Sequence, residues 1–322
     1  MPTIFDEETW KRLGPGRPPR RGKRRSRFRR LLKGVGWLAG LGIATGAAGY
    51  YWYLHRPRPS NLRQTLFQGI TYIRDVRDAP RPLVIHAAVV NLDAPGLRFL
   101  VTHGDPKQKM PLRARTTSQF LEEFKLQFAV NAGFFTPWHS NAPWDYYPHV
   151  GDGVVPDGFT ASRGVVYART TGPITWPTLH ISKKNRARFN EPDGLIYNAI
   201  TGGAVLLKDG EIQKFKHEYQ QNPEPRTAIG LSEDRKKLVI LVVDGRQPNY
   251  SEGINYPEMA RLMKKYGAYD AMNLDGGGSS TMVAEGAEGK PDVLNCPKRN
   301  WFPYQERPVA NHLGIYANQV GN

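Results

Sequence analysis

The chain has 322 residues, and its 45 Lys and Arg exceed its 29 Asp and Glu, which gives a formal net charge of +16. The 39 % of hydrophobic residues excludes a chain that is disordered throughout. The single cysteine, Cys296, excludes an internal disulfide framework and a cysteine-based zinc site.

Much of the positive charge lies at the N-terminus. Residues 1–33 contain 12 Lys and Arg and three acidic residues, and we interpret them as a basic cytoplasmic tail. Residues 34–54 carry no charge, and at about 1.5 Å per residue a helix of this length can cross a hydrocarbon core of about 30 Å. Because basic flanks stay in the cytoplasm, the pattern predicts a single-pass signal-anchor helix with its N-terminus inside. The rest of the chain is then extracytoplasmic, in the periplasm or at the cell surface.

Two other interpretations of this region stay open. A cleaved signal peptide could use the small residues at 44–49, and the arginine pairs at 24–25 and 29–30 resemble a twin-arginine signal. That interpretation also exports the remainder of the chain. A basic run can instead be a nucleic-acid arm, but the uncharged segment that follows argues against it, and we predict no nucleic-acid partner.

The remainder of the chain is typical of one α+β domain. Residues 55–80 begin Pro-rich and charged, and we interpret them as a spacer that leads into the domain at 81–318. Short apolar runs predict strands. The predicted strands are 83–90, 97–101, 128–130, 165–168, 195–200, 204–207, 227–231, 238–243, 271–274 and 313–316.

Helices are predicted at two places in this domain. Thr116 and Gln119 have the spacing of a capping box. A second helix is predicted over 256–266, with Asn255 as its cap and Gly267 at its end. Many short strands and few helices indicate an α+β domain built on a mixed sheet.

The segment NLDGGGSST is the strongest candidate for a functional site. A predicted strand leads into one carboxylate, three glycines and three hydroxyl residues: Asp275, Gly276, Gly277, Gly278, Ser279, Ser280 and Thr281. Successive glycines let backbone N–H groups converge on an anion, and hydroxyls add donors. We therefore predict a phosphate or oxyanion cradle beside a carboxylate, with a tightly packed turn as the alternative. No Lys follows the glycines, so this is not a P-loop.

Other polar residues lie where predicted strands begin or end. Asp244 ends the strand in VVDGR, and Glu252 lies in the loop after it; a turn residue and a surface charge are the alternatives. Asn131, in NAGFF, could bind a sugar hydroxyl or orient a carboxylate. Arg226 precedes a buried strand, and a guanidinium matches phosphate bidentately, although a solvated surface arginine is the alternative.

In this order, the segments resemble the phosphodiester glycosidase family. The resemblance spans roughly residues 83–317, and NLDGGGSST is its most specific part. The positions that match the family pattern are Asn131, Gly133, Phe134, Arg226, Asp244, Asp275 and Gly276–Ser279. The resemblance implies hydrolysis of a sugar-1-phosphodiester in envelope or exopolysaccharide metabolism, which frees the sugar and leaves a phosphomonoester.

Cleavage of a glycosyl–phosphate bond needs a carboxylate that activates water or attacks the anomeric carbon, and donors that hold the phosphate. The predicted catalytic carboxylates are Asp275, Asp244 and Glu252. The predicted substrate-binding residues are Asn131, Gly133, Phe134, Arg226, Gly276, Gly277, Gly278, Ser279, Ser280 and Thr281. The sequence requires no cofactor and leaves a carboxylate-bound divalent cation open. The alternative function is a membrane-anchored glycan-binding or polysaccharide-assembly protein that uses the same pocket without turnover.

Overall fold

The computed structural model describes residues 22–142, 144–169, 176–300 and 303–321. The chain divides into two compact units, Met1–His55 and Arg56–Asn322. In the first unit, helix α1 covers Gly22–His55. Of the predicted basic tail, residues 1–21 lie outside the described part of the chain.

The predicted transmembrane segment over 34–54 is helical, since it lies within α1. Among the helices of the described residues, however, none combines the length and the apolar character needed to cross a membrane. The segment has no charge, but six of its residues are glycines, which add little apolar surface. Its role as an anchor is therefore not confirmed.

The described residues of the second unit are rich in strands and form two α-helices, which confirms the α+β class. The helices are α2 (Thr117–Phe124) and α3 (Tyr256–Lys265). The strands are β1 (Leu62–Phe67), β2 (Ile70–Arg77), β3 (Leu83–Asn91), β4 (Arg98–Val101), β5 (Leu112–Arg113), β6 (Phe128–Asn131), β7 (Phe135–Thr136), β8 (His139–Ala142), β9 (Asp145–Tyr147), β10 (Gly153–Pro156), β11 (Thr160–Ser162), β12 (Val165–Ala168), β13 (Thr178–Ile181), β14 (Ala187–Phe189), β15 (Asn198–Thr201), β16 (Val205–Lys208), β17 (Glu211–Ile212), β18 (Arg226–Leu231), β19 (Lys237–Val243), β20 (Asp270–Asn273), β21 (Met282–Glu285), β22 (Pro291–Val293) and β23 (His312–Tyr316).

These strands form five sheets. The largest has the order β1-β2-β3-β19-β18-β20-β16-β17, and two five-stranded sheets have the orders β22-β21-β6-β23-β4 and β12-β11-β15-β13-β14. A three-stranded sheet, β5-β10-β7, and the hairpin β8-β9 complete the unit. One face of the large sheet packs against both five-stranded sheets in the main core, and its other face is covered by α3.

The sequence predicted a mixed sheet, but the ladders between the described strands are antiparallel, as in the pairing of β18 with β19 and with β20. Neighbouring strands are often joined by short loops, whereas a parallel pair needs a crossover of a dozen or more residues. The region 55–80 also differs from a plain spacer. It contributes β1 and β2, which pair with each other, and β2 also pairs with β3.

The predicted helix caps are both present. The Thr116 hydroxyl accepts the Gln119 N–H at 3.2 Å, and the Gln119 side chain accepts the Thr116 N–H at 2.9 Å. Asn255 caps α3 in the same way. Such boxes satisfy donors that have no partner within the helix. The helix ends therefore follow from local sequence.

Candidate active site

Asp275 lies where the large sheet meets the sheet that contains β6. Strand β20 ends at Asn273, and the Leu274 N–H donates to the carbonyl of Thr227 on β18 at 2.8 Å. The Asp275 N–H then donates to the carbonyl of Ala132, which follows β6, at 2.9 Å. The backbone of Asp275 is therefore held from both sheets, which gives its carboxyl group a rigid support.

Asn131 reinforces this junction from β6. Its side chain is buried, and its Nδ2 donates to the backbone carbonyl of Asp275 at 2.7 Å. Its Oδ1 accepts the Thr227 hydroxyl at 3.0 Å and the Thr281 N–H at 3.1 Å. Because these bonds use both ends of the amide, Asn131 positions Asp275 and is not among the residues that line the pocket.

The glycines after Asp275 make room for arginine side chains. A Cβ on Gly278 would lie 2.6 Å from Arg307 Nη2, and one on Gly277 would lie 3.2 Å from Arg246 Nη2. Gly277 also has a φ of +60°, which favours glycine. The Ser279 hydroxyl accepts Arg307 Nη1 at 3.3 Å. The cradle predicted from the sequence is therefore a place where guanidinium groups approach the backbone.

Asp275 and these glycines open into a cavity of about 400 Å³. Its lining combines three arginines, three carboxyl groups and several aromatic rings: Phe134, Phe135, Trp138, Asp157, Tyr219, Asn222, Glu224, Arg226, Arg246, Leu274, Asp275, Gly276, Gly277, Gly278 and Arg307. Such a concave site with convergent polar groups is typical of a small-molecule pocket.

The three arginines are held in different ways. Arg226 donates from Nη2 to the carbonyls of Tyr219 and Asn222, at 3.1 and 3.0 Å. Arg246 is ion-paired with Glu224. The guanidinium of Arg307 lies 5.3 Å from the centre of the Trp138 ring. Burial lowers the pKa values of Arg226 and Arg307, which indicates partly desolvated cations that attract an anion strongly.

Two carboxyl groups of the pocket have raised pKa values. The pKa of Asp275 is raised to about 6, chiefly by burial and also by the negative charge of Asp157, while the Ser279 hydrogen bond and the Arg307 charge oppose the shift. Burial also raises the pKa of Asp157, against a hydrogen bond from Thr136. Perturbed carboxyls in a cleft are typical of catalytic sites.

The sequence model of the phosphodiester glycosidase family matches residues 124–316, more than half of the chain. The chain belongs to the phosphodiester glycosidase family. The resemblance described from the motifs is thereby confirmed. The matched region contains the Asp275 loop, Asp157 and all three pocket arginines.

Individual relatives match over a shorter stretch. The chain is 43 % identical over 77 residues to N-acetylglucosamine-1-phosphodiester alpha-N-acetylglucosaminidase of Bos taurus and 42 % identical to that of Homo sapiens. Each match covers 24 % of this chain and 14 % of the relative. The chain thus spans only a small part of the length of the curated relatives it matches.

Solved structures with the same fold cover more of the chain. The catalytic domain of zebrafish N-acetylglucosamine-1-phosphodiester alpha-N-acetylglucosaminidase, auto-inhibited by its pro-peptide, has a TM-score of 0.56 and 21 % identity, and the match covers 82 % of this chain and 86 % of that one. A hypothetical protein from Synechocystis has a TM-score of 0.58 and 14 % identity, with 81 % and 64 % covered. At these identities the likeness establishes the fold.

Asp244 does not reach the pocket of this family member. Its buried carboxylate accepts Asn295 Nδ2 at 3.0 Å and the Cys296 N–H at 2.9 Å, and it lies 3.3 Å from His86 Nε2. Asn295 Nδ2 also donates to the carbonyl of Ser280 at 3.0 Å. The structure therefore places Asp244 behind the glycine loop as a support, because its oxygens face protein groups rather than the cavity.

Several other predicted residues also lie outside the cavity lining. Glu252 is exposed, and its backbone N–H donates to the carbonyl of Pro82. A Cβ on Gly133 would lie 2.4 Å from the carbonyl oxygen of Thr201, so this glycine permits close packing. Ser279, Ser280 and Thr281 are buried behind the loop. The predicted residues that line the pocket are Phe134, Arg226, Asp275, Gly276, Gly277 and Gly278.

Sequence reasoning assigned no role to three charged residues of the pocket. Arg246 closes the VVDGR segment and Arg307 opens the RPVANHLGIY segment, so a signal was present in the motifs themselves. Asp157 lies in the short loop between β10 and β11, where no local pattern distinguishes it. Within the described residues, no group of three or more His, Cys, Asp and Glu is arranged to hold a metal ion.

Proposed function

We propose that this chain hydrolyses a sugar-1-phosphodiester between the anomeric carbon and the bridging oxygen, releasing the free sugar and a phosphomonoester. The observation that carries the proposal is that Asp275, with its raised pKa, shares one cavity with three arginines. Membership of the phosphodiester glycosidase family supports the reaction class.

The arginines and the glycine loop account for the phosphodiester part of the substrate. A guanidinium donates two parallel hydrogen bonds to phosphate oxygens, and Arg226, Arg246 and Arg307 line the same cavity. Donors that are already oriented stabilise the charge that develops on a leaving phosphate without reorganisation. We therefore assign the arginine side of the cavity to the phosphate.

Asp275 can supply the proton that the leaving group requires. It lies on the arginine side of the cavity, since the positive charge of Arg307 lowers its pKa and the Ser279 hydroxyl donates a hydrogen bond to it. With a pKa of about 6, the carboxyl group is partly protonated near neutral pH, and a bound phosphodiester anion raises the pKa further. Asp275 can then donate its proton to the bridging oxygen as the bond to the anomeric carbon breaks.

The sugar is assigned to the remaining part of the cavity. The exposed rings of Trp138 and Tyr219 are among its lining residues. Aromatic faces of this kind supply apolar area together with a polar edge. The names of the relatives specify N-acetylglucosamine-1-phosphodiesters, and we propose the same substrate class here.

The test incubates the full chain with a panel of sugar-1-phosphodiesters, including UDP-GlcNAc and other GlcNAc-1-phosphodiesters, and measures the free reducing sugar and the phosphomonoester. Release by the wild type, reduced about 100-fold or more in Asp275→Asn, is expected for a lost general acid. Asp93→Asn, an exposed turn carboxylate outside the cavity, is the matched control and should equal the wild type.

Non-catalytic glycan binding is the second candidate function, because exposed aromatic rings and arginines would also bind a polysaccharide phosphodiester. Calorimetric titration with the same panel separates the two functions. Binding without release of sugar, for a folded wild type, would favour the second candidate and contradict the first.

We further propose that the domain acts outside the cytoplasm. The support is the basic stretch in 1–33 followed by the uncharged segment 34–54, together with the envelope or exopolysaccharide metabolism that the family resemblance implies. Expression of the full chain with a C-terminal tag in a bacterial host tests this location. Protease added to intact spheroplasts should remove the tag, and protection until lysis would contradict export. The intact mass of the recovered chain distinguishes an anchor from a cleaved signal peptide.

A further inference from the structure

We infer that Asp157 is a second catalytic carboxylate of this pocket, which takes a proton from the water that attacks the anomeric carbon. The inference rests on the proposed function and deepens it. None of the sequence motifs contains Asp157. It lines the cavity from the loop between β10 and β11 rather than from the loop that carries Asp275.

The position of Asp157 is fixed by neighbouring strands. Its backbone N–H donates to the carbonyl of Phe134 at 2.7 Å, and its Oδ1 accepts the hydroxyl of Thr136 at 3.3 Å. Phe134 and Thr136 lie next to and within β7, which pairs with β10. The carboxyl group is therefore attached to a strand pair, as the geometry of a reacting group requires.

The two carboxyl groups stand in different surroundings. Asp275 is influenced by Arg307 and lies in the phosphate cradle, whereas Asp157 has a neutral hydroxyl as its hydrogen-bond partner. Glu224, the third carboxyl group of the lining, is already ion-paired with Arg246. Asp157 is thus the carboxylate suited to the side of the cavity assigned to the sugar and the attacking water.

The electrostatic interaction between Asp275 and Asp157 favours different protonation states for the two carboxyl groups. Burial is the main cause that raises the pKa of Asp275 to about 6, and the negative charge of Asp157 adds to that shift, while burial also raises the pKa of Asp157. Two interacting carboxyls titrate as a pair, and the repulsion between their negative charges favours a state in which one of them is protonated. In the proposed mechanism the pair holds one proton, which we place on Asp275, while Asp157, the acceptor of the Thr136 hydroxyl, is ionised. This is the arrangement that an acid–base reaction needs.

The proton balance of the reaction closes within this pair. Water loses one proton to Asp157 and forms the new bond to the anomeric carbon. The bond from that carbon to the bridging oxygen breaks with its electron pair on oxygen, which receives the proton of Asp275. Afterwards Asp157 is protonated and Asp275 is ionised, and proton exchange with solvent restores the starting state.

The test compares pH profiles of kcat/KM for the full-length wild type, Asp157→Asn and the control Asp93→Asn. The wild type should show an acid limb, where Asp157 becomes protonated, and an alkaline limb, where Asp275 ionises. In Asp157→Asn we expect a loss of about 100-fold or more and no acid limb. The alkaline limb should move to lower pH, because the charge that raises the pKa of Asp275 is gone.

Azide gives a readout that a merely structural role would not change. Azide attacks the anomeric carbon without losing a proton, so it forms a glycosyl azide and needs no general base. Added azide should restore part of the phosphomonoester release in Asp157→Asn but not in Asp275→Asn, which lacks the acid.

Thr136→Val provides an independent variant at an exposed position. It removes the hydrogen bond that favours the ionised form of Asp157, so the acid limb should move to higher pH. This variant decides the question if Asp157→Asn proves unfolded by thermal melting.

The outcomes for the inference and for the proposed function are distinct. Release by the wild type with unchanged turnover in Asp157→Asn, or an unmoved acid limb in Thr136→Val, would overturn the role of Asp157 and leave the proposed function standing. Absence of release by the wild type on the whole panel would overturn both.

Discussion

Arg307 occupies the space that a side chain on Gly278 would fill: a Cβ there would lie 2.6 Å from Nη2 of the guanidinium. The same arginine donates to the Ser279 hydroxyl and contacts the Trp138 ring. The glycines thus leave room for Arg307, which follows them in the sequence by about thirty residues, in addition to any backbone N–H donors that they present.

This relationship predicts that Gly278→Ala displaces Arg307 and weakens stabilisation of the leaving phosphate. We expect kcat/KM to fall about 100- to 1,000-fold, the usual effect of losing one preorganised charge contact. Arg307→Ala should cause a similar loss. Because both changes remove the same contact, the double variant should lose little more than either single variant. Multiplication of the two losses in steady-state kinetics would contradict a shared contact.

A second prediction concerns stability and pH. The pKa of Asp275 is raised from 3.8 to about 6 in the folded chain, so ionisation between these values destabilises the native state. Below about pH 4 both states are protonated and the effect disappears, whereas above pH 6 it is complete. Asp275→Asn should therefore be more stable than the wild type by about 1–3 kcal/mol at pH 7.

Thermal unfolding of both proteins at several pH values measures this difference. The melting temperatures should coincide near pH 4 and separate as the pH rises. A variant that is less stable than the wild type at pH 7 would show that the ionised carboxylate is favoured by its surroundings, against the assignment of a raised pKa.

Asp244 should matter for stability rather than for the chemical step. Asp244→Ala leaves the side chains of His86 and Asn295 and the Cys296 N–H without their buried partner. We expect a loss of about 3–5 kcal/mol in the free energy of unfolding, measured by urea denaturation. Glu252→Ala, at an exposed position, should change it by less than about 0.5 kcal/mol. A stable Asp244→Ala protein with abolished turnover would restore Asp244 as a catalytic candidate.

Asn131 should act on turnover through Asp275. Asn131→Ala removes the hydrogen bond to the Asp275 carbonyl and leaves the Thr227 hydroxyl and the Thr281 N–H unpaired. We expect kcat to fall about 10- to 100-fold with KM nearly unchanged, since small misplacement of a reacting group is costly. A rise in KM alone would instead indicate that Asn131 binds substrate directly.

Local sequence was sufficient for many elements of the fold. The two helices begin at capping boxes that are visible in the sequence, at Thr116 and at Asn255. The turn Asp209-Gly210 joins β16 to β17 with both residues at positive φ, as such hairpins require. The capping and turn interactions join residues only a few positions apart, so the local sequence is enough to identify them. The predicted strands also fall close to the observed ones.

The pairing of the strands did not follow from these local signals. A mixed sheet was predicted, whereas the described ladders are antiparallel, and β1 and β2 lie in a region predicted as a spacer. A hydrophobic run indicates that a strand is buried, but it carries no information about which neighbour the strand pairs with.

The sequence by itself determined the family and indicated Asp275 and Arg226 as pocket residues, because each belongs to a short contiguous motif. Only the tertiary structure decided that Asp244 is a buried support and that Asp157, Arg246 and Arg307 join Asp275 in one cavity. Exposure and convergence are set by contacts between segments far apart in the chain. A carboxylate at the end of a strand has the same local sequence whether its oxygens meet solvent or buried donors.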